Sequence, residues 1–128
     1  MHKDIDFRAF ARGSGKLVHY HAGDFIFREG EPSHAMYILL TGSVEIASHD
    51  KSIETIEEGR ALGFAAVIDD RPRATTARAL EDCELAVMGR RKFRFMVDEV
   101  PNFSWYIMRE LTHRLRMLNA AIEESTPA

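Results

Sequence analysis

The stretch GFAAVIDDRPRATTA, from Gly63 to Ala77, holds a single type of strong anion-binding group in an otherwise small and apolar setting. Arg73 stands between Pro72 and the small residues Ala74 and Thr75, and upstream of it Gly63 precedes Phe64, Ala65 and Ala66, where a short helix is expected to begin. A helix start offers backbone N–H groups without partners, which attract an anion. Glycine permits close approach of a ligand, and alanines leave the amides uncovered. A guanidinium across the same hollow adds a fork of donors suited to a phosphate. The pattern therefore predicts a cradle for one compact anion. The plainer alternative is a surface arginine paired with Asp69 or Asp70 on the same loop.

Other chemistry is poorly represented. His19 and His21 alternate on an expected strand and face one way, with Asp24 behind them, but a third imidazole and a following glutamate are missing, so no metal site is expected. His34 and His113 show no obvious partner in the sequence. Ser14, Ser33 and Ser43 sit in glycine- or proline-containing turns, where serine makes local hydrogen bonds, and none lies in a G-x-S-x-G elbow. Cys83 lacks a basic neighbour that would make it a thiolate. No nucleoside-triphosphate loop of the G-x-x-x-x-G-K-[ST] type is present. No catalytic residues are assigned, and enzymatic activity is not expected.

The chain must supply a scaffold that positions Arg73. Its 128 residues suffice for one domain with a real core, and 45% hydrophobic with 29% charged residues describes a globular protein. A net charge of −3 excludes a nucleic-acid binder that works through a basic surface, and Arg90-Arg91-Lys92-Phe93-Arg94 reads as a solvated helix start. One cysteine cannot form an internal disulfide; Cys83, in the apolar run CELAVM, is expected to be a buried strand thiol in a reducing, cytoplasmic setting. No signal segment and no bilayer-length apolar run is visible.

Periodicity divides the chain into four zones. A short helix is expected from Asp4 to Arg12. Short strands follow in KLVHYH, FIFRE, MYILLTG, SVEIASHD and SIETIEE, separated by turn residues. A helical turn is expected from Leu62 to Ile68, then a loop and the strands TTARALE and ELAVM. The last zone is helical from Arg90 to Val100, is interrupted at Pro101, which suits a first helical turn, and continues to Glu124. Met108, Leu111, Leu115, Leu118 and Ile122 are spaced like a heptad seam, which predicts a homodimer through this helix. Phe103, Ile107 and Leu111 are expected to contact the strands at its near end. Short strands at regular spacing predict a sandwich, jelly roll or small barrel.

With the motifs in this order the chain resembles the cyclic-nucleotide-binding domain of the catabolite activator protein family, of regulatory subunits of cyclic-nucleotide-dependent kinases and of gated ion channels. HAGDFIFREGEPSHAMYILLTGSVEI matches the early glycine signature through Gly23, Gly30 and Gly42. GRALGFAAVIDDRPRATTARA matches the phosphate-binding cassette through Gly59, Gly63, Arg73, Ala74 and Ala77. The resemblance covers nearly the whole chain. It implies a mainly β fold with flanking helices: a jelly-roll-like β-roll, or double-stranded β-helix, over residues 16–89 with the cassette at 59–79. A short N-terminal helix (1–15) and C-terminal helices (90–124) complete one domain, 1–128, and family members often dimerise through the last helix.

Residue by residue, the resemblance implies a nucleotide site made of Gly63, Phe64, Ala65, Ala66, Arg73, Ala74 and Thr75. Arg73 matches the arginine that pairs with the cyclic phosphate; Ala65, Ala66, Ala74 and Thr75 match positions that offer backbone groups to it. Ile46 and Ile53 are expected to point into the roll near the base. Ala74 stands where some guanosine-selective relatives place a threonine, which favours cyclic AMP, although Thr75 is adjacent. Phe64 departs from the family, which usually has a glutamate there to accept a hydrogen bond from the ribose 2′-hydroxyl. A hydrogen bond to a charged group contributes about 1.5–3 kcal/mol, so its loss implies roughly ten- to a hundredfold weaker binding. Glu57 and Glu58 are near in sequence, on the far side of Gly59.

The function so implied is a regulatory domain that senses a cyclic nucleotide, cyclic AMP favoured, or a similar phosphate-bearing molecule, with no other cofactor. The alternative is a roll that binds no nucleotide and serves protein interaction or dimerisation. Ligand would act by population shift, with Arg109, Arg114 or Arg116 as lid contacts on the last helix. Either the chain signals to a separate downstream protein or it is a fragment of a longer one, the start at Met1 weakly favouring a complete chain, and neither nucleic acid nor membrane is expected as its own partner.

Overall fold

Strands with one wet face alternate apolar and polar side chains, whereas the run MYILL has no charged residue. In the computed structural model, which describes Arg8 and residues 16–125, this run is a strand buried on both faces. The strands are β1 (Lys16–Tyr20), β2 (Phe25–Phe27), β3 (Ala35–Thr41), β4 (Val44–Ser48), β5 (Lys51–Ile56), β6 (Ala61–Leu62), β7 (Thr76–Ala79) and β8 (Cys83–Gly89). The helices are α1 (Phe64–Asp69), α2 (Arg90–Glu99) and α3 (Phe103–Ser125). Two four-stranded antiparallel sheets, β1-β8-β3-β6 and β2-β7-β4-β5, pack into a β-roll.

The double burial of β3 explains its composition. Met36, Ile38 and Leu40 point to a cluster with Phe64, Phe93, Met96 and Phe103 of the helices. Leu39 points the other way, into the space between the sheets, with Val44, Ile46, Ile56 and Leu85. Strand β8 divides in the same way, Ala86 and Met88 facing the helices while Cys83 and Leu85 face the second sheet. The first sheet is therefore a middle layer, with helices on one side and a sheet on the other.

Turn chemistry sets the register. Ser48 pairs with Lys51 across a two-residue hairpin whose residues, His49 and Asp50, have φ of 52° and 64°. Positive φ at both central positions matches the right-handed strand twist. At Gly42 a Cβ would lie 2.6 Å from the Asp82 carbonyl oxygen and 2.7 Å from Cys83 Sγ, so the β3–β4 turn closes onto β8 only with glycine there.

Three expectations change. Leu62 does not open the helical turn; with Ala61 it forms β6, paired to Tyr37 and Ile38 of β3, and α1 begins at Phe64. Pro101 lies in a turn and not in a first helical turn; Asn102 takes φ of 71°, and α3 starts at Phe103. The helix expected at Asp4–Arg12 lies outside the described residues except for Arg8, which is helical.

Candidate functional site

Each side of the site is placed by a loop tied to the sheets. Strand β6 delivers Gly63 beside β3, and φ of 74° at Gly63 turns the chain into α1. The first turn of α1 has no side-chain cap. The Arg73 loop is fixed by backbone hydrogen bonds to the β2–β3 loop: Arg73 donates to the Glu31 carbonyl at 2.8 Å and Gly30 donates to the Arg73 carbonyl at 2.8 Å. The residues of the two motifs that the sequence separates are thus held together by their main chains.

Arg73 points inward and is 4% exposed. Its Nη1 donates to the Gly63 carbonyl at 2.8 Å, and Nη2 donates to the Ala35 carbonyl at 2.7 Å and to Ser33 Oγ. The guanidinium carbon lies 4.1 Å from the centre of the Phe27 ring, and Tyr37 is 5.9 Å away. None of its hydrogen bonds goes to a carboxylate. Among the described residues, Arg73 Nε is the buried side-chain nitrogen or oxygen that lacks a hydrogen-bond partner. Burial pushes this guanidinium's pKa down, against the weaker pull of Tyr37 and Glu31. The surface-arginine alternative is overturned: Asp69 accepts from the Arg71 backbone at 3.0 Å, and Asp70 pairs with Arg90 at 2.6 Å.

Beside Arg73 lies a hollow of about 230 Å³. One wall is the cassette, with Gly63, Phe64, Ala65 and Ala66 followed by Arg73, Ala74 and Thr75. The other is α3, through Leu111, Arg114, Leu115 and Leu118, with Phe27 at the floor. All seven expected cassette residues are brought together here. Ile46 and Ile53 are not on the wall; they are buried between the sheets behind it, in the cluster against which Leu118 packs. Glu57 and Glu58 are also absent from the wall, Glu58 instead accepting from the Gly42 amide at 3.3 Å. Phe64 is 2% exposed and packs into the helix-side core, as an apolar ring at a helix start will where the sheet offers a buried face.

Helix α3 lies across the roll. Arg114 pairs with Glu54 of β5, which also lies 3.0 Å from His113 Nε2 and 3.7 Å from Arg60. Arg60 reaches Glu110 at 2.9 Å, and Lys51 Nζ donates to the Ala121 carbonyl at 2.8 Å. Burial pulls the Arg60 pKa down, but its bond to Glu110 and the nearby carboxylates raise it overall. Phe103 and Ile107 contact the core as expected, whereas Leu111 is 40% exposed and meets only the hollow's edge. Of the lid candidates, Arg114 lines the hollow while Arg109 and Arg116 are exposed.

Sequence reasoning missed Ser33, Ala35, Phe27 and Tyr37 as the seat of Arg73, and Glu54 as the partner of Arg114. Glu54 did carry a signal, a charge between Ile53 and Ile56 in an otherwise strand-like segment. His34 and His113, which showed no sequence partner, lie 3.5 Å from Asp70 and 3.0 Å from Glu54. A larger depression of about 450 Å³ on the second sheet is lined by Arg78, which pairs with Glu45 at 3.6 Å, and by His49, whose Nε2 lies 3.6 Å from Glu29. No group of three or more metal-ligating side chains occurs among the described residues, and no described helix is long and apolar enough to cross a membrane.

A family model described as cyclic nucleotide-binding domain matches residues 17–100, a span that contains both sheets and the whole cassette. The chain belongs to the cyclic nucleotide-binding domain family. This domain is 31% identical over 101 residues to a cAMP-dependent protein kinase regulatory subunit of Emericella nidulans, covering 77% of this chain and 24% of that one. It thus spans about a quarter of that relative's length. It is also similar to the solved cAMP-bound PfPKA-R, with a TM-score of 0.72 at 26% identity over 82% of this chain and 36% of that one. The Thermus thermophilus catabolite activator protein shares the fold of the domain, with a TM-score of 0.76 at 22% identity over 90% of this chain and 56% of that one.

Proposed function

We propose that this domain is a non-enzymatic regulatory sensor that takes one phosphate-bearing small molecule, with cyclic AMP favoured, into the hollow beside Arg73. The observation that carries the reading is the Arg73 guanidinium: a buried cation that hydrogen-bonds only to neutral oxygens and whose Nε has no partner. Burying an uncompensated charge is expensive, and an anionic ester in the hollow supplies the missing counter-charge. Gly63, Phe64, Ala65, Ala66, Ala74 and Thr75 form the rest of the cassette wall. The contacts of Arg114 put α3 at the mouth, so ligand acts on that helix to the extent that it binds one helix position better than another. The exposed stripe of Met108, Leu111, Leu115 and Ile122 supports a second copy as partner along α3. A separate downstream protein that reads the position of α3 completes the proposed pathway.

Calorimetry with cyclic AMP and cyclic GMP tests the reading. Heat with cyclic AMP is expected, weakened roughly ten- to a hundredfold in Arg73→Lys, which keeps the charge but not the fork. No heat from either nucleotide at millimolar concentration would instead favour a roll that serves as an interaction module.

A further inference from the structure

Resting on the reading that an anion binds at Arg73, we infer that this site selects a monoanion with an apolar, hydroxyl-poor body and leaves sugar hydroxyls unread. A hydroxyl that enters a half-enclosed site needs an acceptor there. Among the described residues, the wall of the hollow carries no carboxylate, no carboxamide and no imidazole, and its only side-chain hydroxyl is Thr75. The Gly63 carbonyl, on the same wall, accepts from Arg73. Phe64, next to Gly63, lines the hollow with an apolar ring, the Arg114 guanidinium carbon lying 5.4 Å from its centre.

Charge narrows the class further. Two arginines reach the hollow, but Arg114 is committed to Glu54, whereas Arg73 has no carboxylate among its hydrogen-bond partners. A single negative charge balances the site; a second would be buried without a partner. Leu111, Leu115 and Leu118 of α3 also line the hollow, an apolar wall for the body of a ligand.

Three probes titrated into the unmodified chain test this: cyclic AMP, its 2′-deoxy analogue, and diphenyl phosphate, a hydroxyl-free monoanionic diester. The 2′-deoxy analogue is expected to bind at least as tightly as cyclic AMP and up to about tenfold more tightly, because its missing hydroxyl is not desolvated without a partner. Diphenyl phosphate is expected to bind in competition with both. In Phe64→Glu the order reverses: cyclic AMP gains about tenfold over the deoxy analogue and diphenyl phosphate is lost. The comparison on the unmodified chain stands even if that variant does not fold. Cyclic AMP binding at least tenfold tighter than its deoxy analogue to the unmodified chain overturns the inference while leaving the anion site intact. No binding of any probe overturns the anion site, and the inference with it.

Discussion

Arg73 reaches its seat because Gly63 has no side chain. A Cβ at that position would lie 2.5 Å from Arg73 Nη1 and 3.1 Å from the Phe27 ring, and the backbone there has φ of 74°. Gly63→Ala should therefore lose about 1–3 kcal/mol in urea unfolding through backbone strain and also dislodge the guanidinium. Unchanged stability and unchanged nucleotide heat would together place Arg73 elsewhere. Cys83 offers a second check at this scale. It is 3% exposed, and burial pushes its thiol pKa up. Because the folded value is raised, the thiol's contribution is present below the ordinary thiol range and is lost as pH rises through the raised one. Native protein at neutral pH should react with iodoacetamide far more slowly than urea-unfolded protein. Equal rates would contradict the burial.

Helix α3 is held by polar contacts as much as by packing. Glu54 meets Arg114, His113 and Arg60 from a strand that otherwise feeds the core, and its side chain is 4% exposed. Removing one partner from a buried pair costs about 3–5 kcal/mol, whereas replacing both with apolar groups of similar size is often neutral. Arg60 and His113 moderate the loss here, so Arg114→Met is expected to cost about 2–3 kcal/mol. Glu54→Leu/Arg114→Met should cost less than the sum of the single changes, by about 1 kcal/mol or more. Additive losses in a double-mutant cycle would show that the two side chains do not meet. Phe103, Ile107 and Ala121 supply the apolar half of the same attachment, at 0%, 4% and 6% exposure.

At the scale of the molecule, one layered core ties the site to the helix. The first sheet carries a hydrophobic cluster on each face, and the hollow opens where Phe64 of one cluster and Phe27 of the other come to the same wall. Ligand at a hundred times its Kd should stabilise the fold by about 2.7 kcal/mol, a rise in Tm of roughly 10 °C. A thermal melt with saturating cyclic AMP that does not shift would argue against specific binding. The exposed apolar positions of α3 predict dimers by light scattering, dissociated by Met108→Glu, which lies outside the hollow's lining. A species that stays monomeric at high concentration excludes that interface. Leu118, placed in the same heptad seam by its spacing, packs against the roll instead, so the stripe available to a partner is narrower than the sequence suggests.

From the sequence, strand composition and turn glycines predicted a sandwich, jelly roll or small barrel, and the family resemblance carried by those glycines and the Arg73 loop predicted the β-roll that the structure has, because these are local signals read in order. The sequence also marked Phe64 as the position where the resemblance leads one to expect a glutamate. Only the tertiary structure decided what surrounds Arg73. Its partners come from two separate segments, Ser33 with Ala35 and Gly63, and two of the three accept through main-chain carbonyls, which carry no trace in a sequence. The same holds for α3, whose spacing fits a dimer seam and a roll-facing stripe equally well. The Glu54–Arg114 pair, 60 residues apart, settles which face meets the roll, because contact between distant charges depends on the packed fold.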